Sequence, residues 1–232
     1  LWRHRGEKHI LWAGTDILHL ANGYWLEDGG EIRLGNWGIC EWINKHCTNW
    51  CENGVEHDKL LWLGIHAKIQ PSFLGDVDKF DISFTPGNKV YTSVSGNNFE
   101  QYGWYKIAEL AIEHPDIEFH FYGNTEPFLF VSQHEIKNLV VHGRVPKEQM
   151  NDEIRQMQGA LRMTEFDGFS EVTAKSVLMG QWPISLIEYP YVLRPNQIGD
   201  ILTKKEPNLG GREYYRRTLN KYPWNIKHGI SS

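Results

Sequence analysis

Nowhere do the 232 residues offer the ~18 to 20 consecutive apolar positions that a membrane-spanning helix requires, and no charged-then-apolar leader opens the chain. A soluble, cytoplasmic protein is expected. Positive charge is also in short supply: 24 Lys and Arg stand against 29 Asp and Glu, a formal net charge of -5, which gives no reason to expect a nucleic-acid partner. Cysteine is limited to Cys40, Cys47 and Cys51, whose spacing puts them on one face if the segment is helical and suits reduced, half-buried thiols. Because no Cys-x-x-Cys knuckle accompanies them, a zinc site with His46 or His57 is disfavoured. No Gly-x-Gly-x-x-Gly follows any predicted strand, which argues against an NAD(P) oxidoreductase, and neither an internal repeat nor a low-complexity tract is present.

What is there reads as ordinary globular protein, with 41% hydrophobic and 23% charged residues, enough for one large domain or two small ones. Trp is the exception, at ten residues. Trp37, Trp42 and Trp50 pack into a core or, alternatively, line a surface where flat rings stack on sugars.

From Lys89 onward short β-rich runs alternate with amphipathic segments, the pattern of a parallel α/β sheet. Strands are predicted over 90–94, 117–122, 139–142, 160–163 and 183–187. Helices are predicted over 101–113, 147–158, with Pro146 at the start, and 171–179. Before Lys89 a strand at 9–12 runs into the turn Gly14-Thr15-Asp16, followed by helices over 37–52 and 58–63, a stop at Gly64, a strand at 67–69 and an irregular connection over 71–86. About three strands are too few for a free-standing nucleotide-binding domain, so either the front part is reduced or upstream residues are missing. A further helix is expected from Asn196 to Lys204, and another in the tail from Arg212 to Tyr222.

The run Gly159 to Ser185 reads as strand, polar loop, helix, turn and strand. Loops between a strand's carboxyl end and a helix's amino end are where α/β sheets bind ligands, because free N–H groups and the helix dipole favour phosphate. In that loop Gly168 permits close backbone approach, Ser170 can cap the helix or donate to a phosphate, and Asp167 can accept hydroxyl hydrogen bonds.

These residues resemble the donor loop of retaining GT-B glycosyltransferases of the family 4-like, group 1 type. One subgroup carries Leu-Arg-x-Thr-x-x-Asp-Gly there, and Leu161, Arg162, Thr164, Asp167 and Gly168 match it in order, with Phe169 in the aromatic position. Gly180, Trp182 and Ile184 fall on that subgroup's Gly-Arg-Trp-Val-Ile. The resemblance covers roughly Val90 to Ser185. It implies transfer of a sugar from a nucleotide-diphosphate donor with no cofactor and no obligatory metal. Lys175 departs from it, standing where the family has a second Glu that holds the ribose. Since Lys cannot accept a hydrogen bond, it could pair with a phosphate, Glu171 could take over the ribose, or the domain could be an inactive binding or assembly subunit.

Further similarities are weaker. Ser95, Gly96, Asn97 and Asn98 follow the first strand where the family has a phosphate loop, without its Arg and Lys, so Arg144 or Arg162 would supply the charge. Tyr122-Gly123 and His142-Gly143-Arg144 resemble strand ends of the family. Trp12 to Asp16 resembles a Trp-Ile-Gly-Thr-Asp turn near the acceptor cleft, where Asp16 contacts an acceptor hydroxyl or merely caps a helix. Pro71 to Phe80 resembles the family's interdomain linker, which explains Asp76-Val77-Asp78 without the metal-holding role that a GT-A enzyme would give it. His120 and His142 read as structural.

The resemblance thus implies an α/β, GT-B-like protein with a Rossmann-like parallel sheet: a partial acceptor-side domain over 1–85, a nucleotide-sugar-binding domain over 86–205 and a helical tail over 206–232. Asp167 and Asp16 are the candidate catalytic residues. The donor site would comprise Ser95, Gly96, Asn97, Asn98, Arg144, Arg162, Thr164, Gly168, Phe169, Ser170, Glu171 and Lys175. The partners would be a nucleotide sugar and a glycan, lipid or protein acceptor, and a homodimer is compatible with such a chain.

Overall fold

Lys89 to Ser93, a run with apolar Val90 and Tyr91 buried in succession, forms the middle strand of a sheet covered on both faces. The computed structural model describes residues 3–21, 34–94, 99–123 and 135–222, with 34–37 described for the backbone alone. Two compact units emerge. One comprises Leu1–Ser72, Phe166–Phe169 and Thr218–Ser232, the other Phe73–Glu165 and Ser170–Arg217. The sequence alone suggests a boundary at 85/86.

In the first unit, β1 (His9–Leu11), β2 (Thr48–Cys51) and β3 (Ala67–Ile69) form a parallel sheet in the order β1-β2-β3. Helices α1 (Thr15–Ala21), α2 (Leu34–His46) and α3 (Gly54–Trp62) accompany it. Ile17, Leu20, Cys40, Ile43, Cys51, Leu60 and Ile65 share one core.

The helix predicted over 37–52 is too long. It ends at His46, and the residues after it are the central strand β2. Cys47 N bonds to Ile43 O as the last helical contact, after which Thr48 and Trp50 suit a strand paired on both edges. The three cysteines therefore do not share a helical face: Cys51 is buried on β2 and all three are free thiols. Helix α3 starts at Gly54, four residues before the predicted start, because Asn53 caps it by accepting from Glu56 N at 3.0 Å.

In the second unit β4 (Lys89–Ser93), β5 (Glu118–Tyr122), β6 (Leu139–Gly143), β7 (Gly159–Arg162) and β8 (Ile184–Ser185) run parallel in the order β6-β5-β4-β7-β8. Each lies within two residues of its predicted ends. Helices α4 (Trp104–Glu113), α5 (Lys147–Ile154), α6 (Glu171–Leu178) and α7 (Leu209–Thr218) also occur. Helix α4 buries Trp104, Ile107, Ala108 and Ala111, a three-four spacing that puts one apolar stripe on the sheet. The predicted helix at 196–204 is a 3-10 helix over Pro195–Thr203, with Gly199 in its middle. Among the described residues no helix is long and apolar enough to cross a membrane.

The strand order locates a place for a ligand. The chain builds outward from β4 through β5 to β6, then returns to place β7 on the other side of β4. Adjacent strands β4 and β7 therefore send their following connections in opposite directions, which opens a crevice at their carboxyl ends where ligands of such sheets bind.

Candidate functional site

The connection after β7 begins in the second unit with Arg162, Met163 and Thr164, all buried. The Arg162 guanidinium lies 4.1 Å from the centroid of the Tyr102 ring, a cation–π contact that orients the side chain. Ser170 is the N-cap residue of α6, and among the described residues its hydroxyl makes no cap hydrogen bond. Glu171 and Lys175, one turn apart, pair at 3.0 Å along that helix. Both line a cavity of about 390 Å³ in this unit together with Lys79, Lys147, Arg155 and Phe73. Arg144 is exposed in the turn after β6. Ser95, Gly96, Asn97 and Asn98 lie outside the described residues.

The remaining loop residues, Phe166–Phe169, belong to the first unit. There Asp167 is half-buried; its carbonyl accepts from Asn53 Nδ2 at 2.7 Å and its own carboxylate accepts from Gly168 N at 3.1 Å. Phe169 N donates to Glu52 Oε2 at 3.1 Å. Gly168 is dictated by close approach, since a Cβ there would lie 1.8 Å from Glu52 Oε2. Asp16 sits in the first turn of α1, exposed, and accepts from Ala13 N at 3.3 Å, so it caps its own turn.

Sequence reasoning missed Glu52 and Glu56. Both are buried in the first unit. Glu52 accepts from Ser72 N at 3.0 Å and from the Ser72 hydroxyl in addition to Phe169 N. Glu56 Oε1 accepts from Gly14 N at 2.5 Å and its Oε2 from Glu52 N at 2.6 Å. Gly14 adopts a left-handed φ of 67°, and a Cβ on it would meet Gly168 N at 3.4 Å. Burial raises the Glu52 carboxyl above its ordinary range against the pull of its hydrogen bonds, with Asp167 adding to the rise. Burial pushes Glu56 up to about 8, with Glu52 and Asp16 adding to it and the bonds from Glu52 N and Gly14 N opposing it. The one signal that pointed here was Asn53-x-x-Glu56, a capping-box pattern directly after a strand.

Other candidates fall elsewhere. Trp50 is buried and Trp42 stacks on His46 at 4.7 Å between centroids, so packing accounts for both, while the Trp37 side chain lies outside the described ones. Asp78 pairs with Arg216, and Asp76 caps the short 3-10 turn Val77–Lys79. His120 and His142 bond to each other at 2.8 Å and stack, with Glu118 accepting at 2.7 Å from His120. Among the described residues no group of three or more His, Cys, Asp and Glu is placed to hold a metal ion.

No family model and no curated sequence matches the chain. Solved structures do. Sucrose-phosphate synthase from Thermosynechococcus elongatus superimposes with a TM-score of 0.65 at 12% identity, over 97% of this chain and 66% of that one. A mutant of S. aureus TarM, in complex with Fondaparinux, alpha-GlcNAc-glycerol and UDP, gives a TM-score of 0.58 at 12% identity over 93% and 47%. Anabaena HepE in complex with UDP and glucose gives 0.56 at 10% identity over 91% and 67%. The chain thus has the fold of these GT-B glycosyltransferases and spans about half to two thirds of their length.

Proposed function

We propose that this chain carries the donor-handling part of a glycosyltransferase, which moves a sugar from a nucleotide-diphosphate donor to a glycan, lipid or protein acceptor in the cytoplasm. The observation that carries the reading is the loop after β7. A run matching Leu-Arg-x-Thr-x-x-Asp-Gly leaves a strand at the reversal point of a β6-β5-β4-β7-β8 sheet and ends on Ser170, the cap of α6. The N–H groups at the start of α6, with Arg162 and Arg144, would neutralise the departing diphosphate. Asp167 would accept hydroxyl hydrogen bonds from the sugar, and neighbouring backbone groups would orient it. Asp16 is the acceptor-side candidate. Donor binding then needs no divalent metal, and the outcome at the anomeric carbon is retention.

The Glu171–Lys175 pair favours one resolution of the family's missing ribose acid. Glu171 offers its carboxylate to the ribose hydroxyls from the same helical face, and Lys175 holds it in place. A non-catalytic nucleotide-binding subunit is the second reading, favoured by the same pair, because its ammonium is already engaged by the helix's own acid.

Calorimetric titration with UDP, GDP, dTDP and their glucose conjugates, with and without EDTA, tests the proposal. Saturable binding of one nucleotide, undiminished by EDTA, is expected. Failure of every one to bind would remove the proposed function, and a strict Mg or Mn requirement traced to Asp76 and Asp78 would replace it with a metal-dependent one.

A further inference from the structure

Backbone N–H groups in the first unit converge on two side chains in an unusual way. Gly14 N, Glu52 N, Ser72 N and Phe169 N come from four separate points of the chain, and all end on the carboxylates of Glu52 and Glu56. Burying a carboxylate is costly unless its oxygens are satisfied, and here neutral donors do the satisfying. The groups facing the pair are Asp16, Asp167, Glu52 itself, Cys51 and Tyr222, whose influence is acidic or neutral. A neutral side chain could fill the space at lower cost. What the two carboxyl groups supply is four acceptor oxygens at fixed positions, which ionisation strengthens.

The two segments they hold are those the sequence singles out independently, the Gly-Thr-Asp turn and the Asp-Gly-Phe loop. Glu56 fixes Gly14, Glu52 fixes Phe169, and Glu56 also fixes Glu52 through its backbone N–H, so the two are coupled. Gly168 alone lets the Glu52 carboxylate lie against the loop backbone. We infer that Glu52 and Glu56 are positioning residues of the proposed transfer, two buried carboxylates that preorganise the Gly14 turn and the Asp167–Phe169 loop for the donor sugar. This rests on reading that loop as the donor loop.

Amide hydrogen exchange of the full chain, with UDP-, GDP- and dTDP-glucose titrations alongside, tests it on Glu52→Gln and Glu56→Gln. The amide nitrogen of Gln turns a donor toward a backbone donor, so each variant loses one anchor at nearly constant volume. Glu52→Gln should speed exchange at Phe169 or Ser72, and Glu56→Gln at Gly14 or Glu52, at least tenfold, according to which way the amide turns, with β4 to β8 unaffected. Both should weaken the sugar nucleotide that the unchanged chain binds by at least tenfold. Ser72→Ala, which keeps the Ser72 N–H, should leave Phe169 protection and affinity intact. Protection at Gly14, corrected for intrinsic exchange, should rise as pH passes about 8 and be flat in Glu56→Gln. Should a Gln variant not fold, Glu52→Asp and Glu56→Asp retract the charge by one methylene and are read the same way. Unchanged exchange overturns the inference, as do looser segments with unaltered affinity. If the unchanged chain binds no sugar nucleotide at all, it is the proposed function that fails.

Discussion

Lys175 occupies the position where the family pattern breaks, and its 3.0 Å contact with Glu171 converts an awkward substitution into a specific expectation. If Lys175 works through Glu171, Lys175→Ala frees the carboxylate and weakens UDP and uridine alike, by about 1–3 kcal/mol, the scale for a hydrogen bond to a charged group. Glu171→Ala should cost as much or more. Calorimetry on the two ligands separates this from direct phosphate contact, in which UDP alone would suffer. At this scale the sequence was readable where a motif named the residue: Asp167, Gly168 and Ser170 all lie in the β7 to α6 connection as expected. Glu56 carries only the local Asn53-x-x-Glu56 capping pattern, and Glu52 carries no motif. Glu52 meets the loop through Phe169, over 100 positions away, and nothing local to Glu52 announces a partner that distant.

Among elements, the strands of the second unit were legible because most are short buried runs and several are followed by amphipathic helices, so period and burial agree. Strand β2 was not. Its Thr48-Asn49-Trp50-Cys51 directly follows helix α2 without a Gly or Pro to mark the change, and only pairing on both edges makes it a strand. Register between elements was equally hidden, and Gln181 shows how it is enforced. This fully buried side chain donates to Ile154 O at 2.7 Å at the end of α5, to Met157 O at 3.0 Å and to Ser83 O at 3.2 Å, while its oxygen accepts from Tyr91 on β4. Gln181→Leu keeps the volume and removes the bonds to three carbonyls and to the Tyr91 hydroxyl. A loss of about 1–3 kcal/mol is expected, seen as a lower urea midpoint at unchanged slope. A variant as stable as the unchanged chain would show that these groups find other partners.

For the molecule as a whole, the same buried carboxylates set how stability responds to pH. Glu56 is raised from 4.5 to about 8 in the folded chain. Its folded form keeps a proton that the unfolded chain has released, so its contribution is complete below pH 4.5 and is lost as pH rises toward 8. His120 acts with the opposite sign. Burial, the largest cause, lowers it below 6.5, so the unfolded chain takes up a proton first and stability is lost as pH falls through that range. Glu118 and Glu153, lowered by their bonds to Lys89 and Tyr122, matter only below 4.5. The raised thiols of Cys40, Cys47 and Cys51 matter only near 9 and above. Below 6.5 the Glu56 and His120 effects offset each other, and Glu52, also raised by burial, acts with the sign of Glu56, which leaves 6.5 to 8 as the window in which the raised carboxyls act without the opposing His120 effect. There the unfolding free energy should fall by up to about 1.4 kcal/mol per pH unit, the slope for one proton. Glu56→Gln, which cannot titrate, should flatten it. Urea midpoints at half-unit steps from pH 6.5 to 8.5 measure both, and an equal slope in the two chains would remove Glu56 as its source. The sign also bears on the positioning role: ionisation strengthens Glu56 as an acceptor for Gly14 N and Glu52 N while it costs global stability. The turn should therefore be held most firmly near pH 8 and above, where the fold as a whole has given up part of its margin.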